Sequence, residues 1–232
     1  MNLVIMQPYF FPYLGYWQML NAADNFVLYD DVNYIKNGWI NRNNLLFNDS
    51  PHLFTLSLNK PSSFKKINET YINSLPQNRS KVLGFIRNSY LKAPYFKNVF
   101  PLIEEIIFYP ENNISSFLQN HFRRIFEYLD IKTNILVSSD IHKNNDLKAQ
   151  EKVLDICINL GAKKYINAIG GQDLYSKEEF AKKGISLNFI KMRNISYRQY
   201  NENFVENLSI IDVMMFNDKK MIHDFLNEYD FV

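Results

Sequence analysis

Leu3-Val-Ile-Met6 is an uninterrupted apolar run that breaks at once into Gln7-Pro-Tyr-Phe-Phe-Pro12-Tyr-Leu-Gly15-Tyr16. Consecutive apolar residues without polar alternation fit a strand buried on both faces, the condition of a strand inside a parallel sheet. Pro8 and Pro12 end regular pairing, and Gly15 permits a close backbone approach where a helix begins. In an open α/β sheet ligands bind at the carboxyl ends of the strands, and free N–H groups at a helix start suit a phosphate. Gln7, Tyr9, Tyr13, Gly15 and Tyr16 are therefore candidate ligand contacts. The plainer reading is that these aromatics are ordinary core, in a chain holding 19 Phe and 15 Tyr.

A second strand-like run, Phe26-Val-Leu-Tyr29, leads into Asp30-Asp31, which would emerge at the same sheet edge as Gln7. Adjacent acids at a strand end commonly serve as helix caps or solvated loop residues. Here Lys36, Trp39, Asn41, Arg42 and Asn43 follow closely, and together they suggest a mixed-charge polar site. A third stretch, Tyr165-Ile-Asn167-Ala-Ile-Gly170-Gly171-Gln172-Asp-Leu-Tyr175, runs from a strand into two glycines. Backbone amides of such a turn can meet an anion, while Asn167, Gln172 and Tyr175 can hydrogen-bond a sugar or base. A simple loop between a strand and a capped helix is the equal alternative.

The remaining chain alternates strand and helix signals. Leu14 to Ala23 reads as a short helix, and 41–47 with 52–58 as a hairpin about Asn48-Asp49-Ser50-Pro51. From 60 to 130 the periodicity turns helical. Ile114, Phe117, Leu118, Phe122, Ile125 and Leu129 recur at three- and four-residue steps, and His121 beside that stripe is read as structural. The α/β rhythm resumes with a strand at 134–138 and a helix at 147–160 closed by Gly161. A strand at 164–168, a helix capped by Ser176 and Glu179, a strand at 187–191 and helices near 208–216 and 218–228 complete the chain. The expectation is one α/β domain over 1–232, with a mostly parallel sheet and a helical insertion at 60–130.

Several functions are excluded or disfavoured. Net charge is +2, with 26 basic and 24 acidic residues interspersed, so no basic stripe marks a nucleic-acid partner. No run reaches the roughly 18 apolar residues of a membrane span, and the amino terminus lacks a charged leader. A single cysteine forms no internal disulfide, and the cytoplasm is the expected compartment. Cys157 lies at helical spacing among Val153, Leu154 and Leu160 and reads as a packed thiol. Glycine-rich dinucleotide and phosphate loops, a nucleophile elbow and paired metal ligands are all missing. His142, after a strand and near Asp140, is either a surface histidine or a general base.

Taken together these stretches resemble the WbqC-like family of bacterial polysaccharide-gene-cluster proteins. The likeness rests on Met6 to Tyr16, on Tyr29-Asp-Asp-Val-Asn-Tyr-Ile-Lys36 with Gly38-Trp-Ile-Asn-Arg-Asn43, and on Ala93-Pro-Tyr-Phe96. It continues in Tyr165 to Tyr175 and in Leu208 to Phe216. Ala168 stands where the family has proline. A weaker likeness is to the nucleotidylyltransferase superfamily. Pro12-Tyr-Leu-Gly-Tyr16 keeps the spacing of that group's Pro-x-His-x-Gly-His loop, with tyrosine at both histidine positions. This implies a Rossmann-like sheet and nucleotide binding, but removes the imidazoles that nucleotidylyl transfer would use.

The WbqC-like family is associated with lipopolysaccharide O-antigen synthesis, often beside aminotransferases that make nucleotide-linked amino sugars, and glycyl transfer is ascribed to some members. The resemblance implies a transferase that acylates the amine of a dTDP- or UDP-linked amino sugar, with the acyl donor unspecified. In that scheme Asp31, with Asp30 beside it, is the candidate base. Lys36 and Arg42 stabilise developing negative charge, and Asn41 and Asn43 orient the groups. The Gln7–Tyr16 loop and Gly170-Gly171 hold the diphosphate, and Trp39 or Tyr175 stacks on a base or sugar. No tightly bound cofactor is implied. An adenylate-forming transferase, with ATP and with Mg²⁺ on the carboxylates, is one alternative; a non-catalytic sugar-nucleotide-binding partner of a glycosyltransferase is another.

Overall fold

Residue by residue, a computed structural model describes positions 1–232. The chain opens with β1 (Asn2–Met6), α1 (Leu14–Asn21) and β2 (Asn25–Leu28), as the apolar runs require. A hairpin follows, β3 (Arg42–Phe47) and β4 (Ser50–Thr55). Its turn is shorter than the sequence suggests: Asn48 and Asp49 both have positive φ, the backbone of a two-residue turn, so Ser50 and Pro51 already pair within β4.

Three helices, α2 (Pro76–Tyr90), α3 (Phe96–Ile107) and α4 (Ile114–Leu129), come before β5 (Asn134–Val137). Asn113 caps α4 by accepting from the amides of Ser115 and Ser116. Then come α5 (Ala149–Asn159), β6 (Lys164–Ala168), α6 (Lys177–Lys182) and β7 (Ser186–Met192). Helices α7 (Ile210–Phe216) and α8 (Lys219–Phe225) precede β8 (Tyr229–Phe231), a strand that lies just past the last helix read from the sequence. No helix is long and apolar enough to cross a membrane.

The main sheet has six strands in the order β5-β2-β1-β6-β7-β8. Every neighbouring pair is parallel except β7 with β8. Counted along the chain, the parallel strands run third, second, first, fourth, fifth across the sheet. That is the doubly wound order, whose direction of winding reverses between β1 and β6.

Both faces are covered. Val4, Phe26 and Leu28 join α1, α4 and α7 in a core cluster of 47 buried residues that extends into α2 and α3. Leu3, Ile5, Val27 and Tyr165 pack on the other face with Val153, Ile156 and Cys157 of α5 and Phe180 of α6. Strands buried on both sides need no polar alternation, which is why β1 and β2 read as continuous apolar runs.

Candidate ligand site at the carboxyl edge of the sheet

The loop leaving β1 is held open by polar supports. Phe10 and Phe11 are fully buried, and Phe11 has φ 45°. Asn43 fixes this bend: its amide donates to the carbonyls of Phe10 (3.1 Å) and Phe11 (2.9 Å), while the Phe10 amide donates to the Trp39 carbonyl at 2.8 Å. The indole of Trp17 donates to the Pro12 carbonyl at 2.9 Å. Between loop and hairpin lies a cavity of about 330 Å³ lined by Tyr9, Pro12, Tyr13, Trp39, Asn43 and Asn207. Tyr9, Tyr13, Trp39 and Asn43, candidates scattered over 35 residues, thus share one cavity. Tyr13 and Asn207 also line a second cavity, of about 300 Å³, beyond the carboxyl end of β7.

Other expected contacts are support rather than lining. Tyr16 is buried, its hydroxyl donates to the Gln7 carbonyl at 2.7 Å and its ring stacks on Phe122, so it belongs to the core. Gly15 serves Tyr13: a Cβ there would lie 2.6 Å from the Tyr13 ring, which occupies the approach a phosphate was expected to take. Asn41 accepts from the Tyr34 hydroxyl and donates to the Leu56 carbonyl, both within the interior. Arg42 turns its guanidinium onto the carbonyls of Asn37 and Gly38, and its charge lies 6.0 Å from the Trp39 ring centre. Lys36 is exposed, and neither it nor Arg42 pairs with Asp30 or Asp31. Gln7 keeps a buried side-chain oxygen without a hydrogen-bond partner.

The two acids after β2 diverge. Asp30 accepts from the hydroxyls of Ser115 (2.9 Å) and Ser139 (3.0 Å) and from the Ser139 amide (3.0 Å), tying α4 to the end of β5. Asp31 meets two lysines that the sequence reading overlooked. Its Oδ2 lies 3.0 Å from Lys143 Nζ and 3.1 Å from Lys152 Nζ, and its Oδ1 accepts from the Ser138 hydroxyl at 2.7 Å. Burial pushes the Asp31 carboxyl up, but the hydrogen bonds from Ser138, Lys143 and Lys152 and the Lys143 charge outweigh it and hold it below the ordinary carboxylate value. A carboxylate so engaged is a weak proton acceptor. Two ammonium groups on its Oδ2 also repel a divalent cation, so these residues do not fit the Mg²⁺ that an adenylate-forming scheme would place here.

Tyr29 borders the same group. Burial, then the Asp31 charge, then the neighbouring Tyr175 raise its phenol, and the Lys152 ammonium lies 5.7 Å from its ring centre. Tyr175 meets Tyr165 edge to face at 5.6 Å. Asn167 donates to the Tyr165 hydroxyl at 3.0 Å and accepts from the Ala168 amide at 2.7 Å. Gly171 lies against Asn167, where a Cβ would come within 3.1 Å of its amide; Gly170 and Gln172 face solvent. The glycine pair takes no positive φ, so it backs Asn167 instead of forming a left-handed anion turn.

One further group escaped the sequence reading. Asp212 on α7 is fully buried, and accepts from the hydroxyls of Tyr90 (2.8 Å) and Tyr197 (2.7 Å) and from Gln199 Nε2 (2.8 Å). Burial raises its carboxyl above the ordinary value despite the hydrogen bonds of Tyr197, Gln199 and Tyr90. No cation pairs with it, and Tyr197 connects it to the cavity beyond β7.

The model of the WbqC-like protein family matches residues 7–224, and the chain belongs to that family. Uncharacterized protein Rv1507c of Mycobacterium tuberculosis (strain ATCC 25618 / H37Rv) is 25% identical over 232 residues, spanning 97% of this chain and 97% of that protein. No solved structure matches the chain.

Proposed function

From membership of the WbqC-like family, we propose that this chain is a biosynthetic enzyme of bacterial surface polysaccharide. It modifies a dTDP- or UDP-linked amino sugar by transferring an acyl group from an activated donor, aminoacyl donors with glycyl among them being tested first, to the sugar amine. One observation carries the reading: the strand order reverses between β1 and β6, so the 7–13 loop and the Asn167–Tyr175 stretch leave adjacent strands at the edge where such sheets take nucleotides. The cavity of Tyr9, Tyr13 and Trp39 offers aromatic faces to a sugar ring or base.

The test is the melting temperature of the purified chain against dTDP- and UDP-linked amino sugars, free dTDP, UDP and ATP. A ligand at a hundred times its dissociation constant stabilises the native state by about 2.7 kcal/mol, a shift of roughly 5–10 °C for a chain of this size. An amino-sugar nucleotide that shifts the transition further than its free nucleotide supports the reading and names the acceptor for acyl-transfer assays. A shift with ATP alone overturns it in favour of adenylyl transfer. Binding of the amino-sugar nucleotide without turnover by any activated acyl donor overturns the enzymatic part and leaves a sugar-nucleotide-binding protein.

A further inference from the structure

We infer that the loops 33–37 and 60–66 together form a docking surface for an anionic lipid bilayer, with Phe64 and Ile35 entering the headgroup layer and four lysines meeting the lipid phosphates. The two loops are fastened to each other. Asn33 bridges Lys66 in antiparallel register, the Tyr34 amide donates to the Lys65 carbonyl at 2.8 Å, and the Ile67 amide donates to the Val32 carbonyl at 2.9 Å. The next step of that register sets Ile35 beside Phe64, so both apolar residues reach the same end of the paired loops. Phe64 is 94% exposed and Ile35 50%. This exposure is built in. The Phe64 amide donates to Ser62 Oγ at 3.2 Å and the Lys65 amide to the Ser62 carbonyl at 3.1 Å, a turn that holds the ring outward. Tyr34 and Ile67, buried in the main core, anchor the pair from beneath. A single exposed apolar side chain is ordinary, but two at adjoining tips, held out by hydrogen-bonded turns, form a patch.

Charge identifies what covers the patch. From 32 to 68 the chain carries Lys36, Arg42, Lys60, Lys65 and Lys66 against one acid, Asp49, although the whole molecule is only +2. Asp49 sits in the hairpin turn, at the far end from the Asn41–Leu56 contact, and Glu69, just past the segment, accepts from the Lys66 backbone amide at 2.9 Å. Lys36, Lys60, Lys65 and Lys66 are exposed, and none makes an ion pair. Unpaired lysines around a protruding ring and a branched aliphatic chain match a bilayer surface: the cations meet anionic headgroups, and the apolar tips lodge at the acyl boundary. A nucleic acid would satisfy the charges but offers Ile35 nothing to stack on. The patch also adjoins the aromatic cavity. Trp39, which lines it, follows directly on the turn closed by the Gly38 amide on the Ile35 carbonyl at 3.1 Å, so docking here holds that cavity near the bilayer.

Sedimentation of the full chain with lipid vesicles tests the surface, comparing phosphatidylcholine alone with an equal mixture of phosphatidylcholine and phosphatidylglycerol. Wild type is expected to partition onto the mixed vesicles, to stay in solution with phosphatidylcholine alone, and to detach as potassium chloride is raised. The double variant Lys65→Gln, Lys66→Gln should partition about thirtyfold more weakly, at roughly fivefold per lysine. Phe64→Ser should partition about tenfold more weakly or worse, as loss of a buried phenyl ring implies. Both proteins should melt with wild type, because the three side chains are exposed. Absence of wild-type binding to the mixed vesicles overturns the inference. So does undiminished binding by Phe64→Ser, which would leave a diffuse attraction of charge with no docked patch. A larger elution size of wild type than of Phe64→Ser without vesicles would assign the patch to a second copy of the chain. Lysine-dependent binding of single-stranded RNA tighter than that of vesicles would assign it to nucleic acid, and either result overturns the bilayer as occupant.

Discussion

At the scale of single residues, the side chain least at ease is His121. It is fully buried among Phe10, Phe11, Trp17 and Phe122, with ring centres 4.4 to 6.2 Å away, and neither ring nitrogen has a hydrogen-bond partner. Burial lowers its pKa from 6.5 to about 3. The unfolded chain therefore takes up a proton below pH 6.5 that the native state refuses until about pH 3, and stability must fall with pH across that window. The ceiling of the loss is about 5 kcal/mol. His121→Leu should leave stability at pH 7 equal or higher, because an unpartnered polar ring is gone, and should flatten the decline between pH 6.5 and 4. Urea denaturation at pH 7 and pH 4.5 measures both; an unchanged acid slope would remove His121 from the account. The aromatic spacing around residue 121 revealed its burial, but spacing carries no information about a missing partner. The same limit applies to Tyr16 and Asn43. Sequence marked them as polar groups near a loop, yet only tertiary contacts show that they hold that loop up.

At the scale of elements, α7 is joined to α2 and to the 193–209 segment by the hydrogen bonds converging on Asp212. Tyr90 is central, because its hydroxyl also accepts from the Leu46 amide at 3.0 Å and so includes β3. Tyr90→Phe leaves that buried amide unpaired and takes one donor from a buried carboxylate, at a cost of about 2–3 kcal/mol. Tyr90 is one of the groups holding the Asp212 carboxyl down, so the variant raises it further, and a carboxyl raised on folding destabilises above its unfolded pKa. The loss should therefore be larger at pH 8 than at pH 5. Denaturant midpoints at the two pH values test this, and a pH-independent difference would mean that Asp212 does not change protonation between them. Element periodicity did hold a clue to Lys152. It falls on the buried stripe of α5 with Val153, Ile156 and Cys157, where a lysine needs a reason to be. Lys143 lies in an irregular stretch and gave no such signal.

At the scale of the whole molecule, apolar runs disclosed β1, β2, β5, β6 and β7, but not which strands are neighbours. The placement of β1 between β2 and β6 depends on contacts as distant as Val4 with Ile166, and no local pattern encodes it. Strand β8 was hidden for the opposite reason: Tyr229-Asp-Phe231 is too short for a periodicity and derives its form from β7. It covers the edge of β7 in antiparallel register, with Met192 opposite Tyr229 and Ile190 opposite Phe231, and the amides of Phe189 and Val232 donate to each other's carbonyls at 3.0 Å. Removing residues 229–232 would bare an edge carrying Phe189, Ile190 and Met192 and leave Arg193 without Asp230. The exposed ion pair contributes little, so the loss, about 1–3 kcal/mol, should come from the ladder and the apolar cover. An uncovered strand edge also recruits other chains, so the shortened protein should elute larger on size exclusion as its concentration rises, while the full chain does not. If it instead melted lower but stayed at the same elution volume, β8 would be a stabilising strap and β7 would be protected by its twist and flanking charges alone.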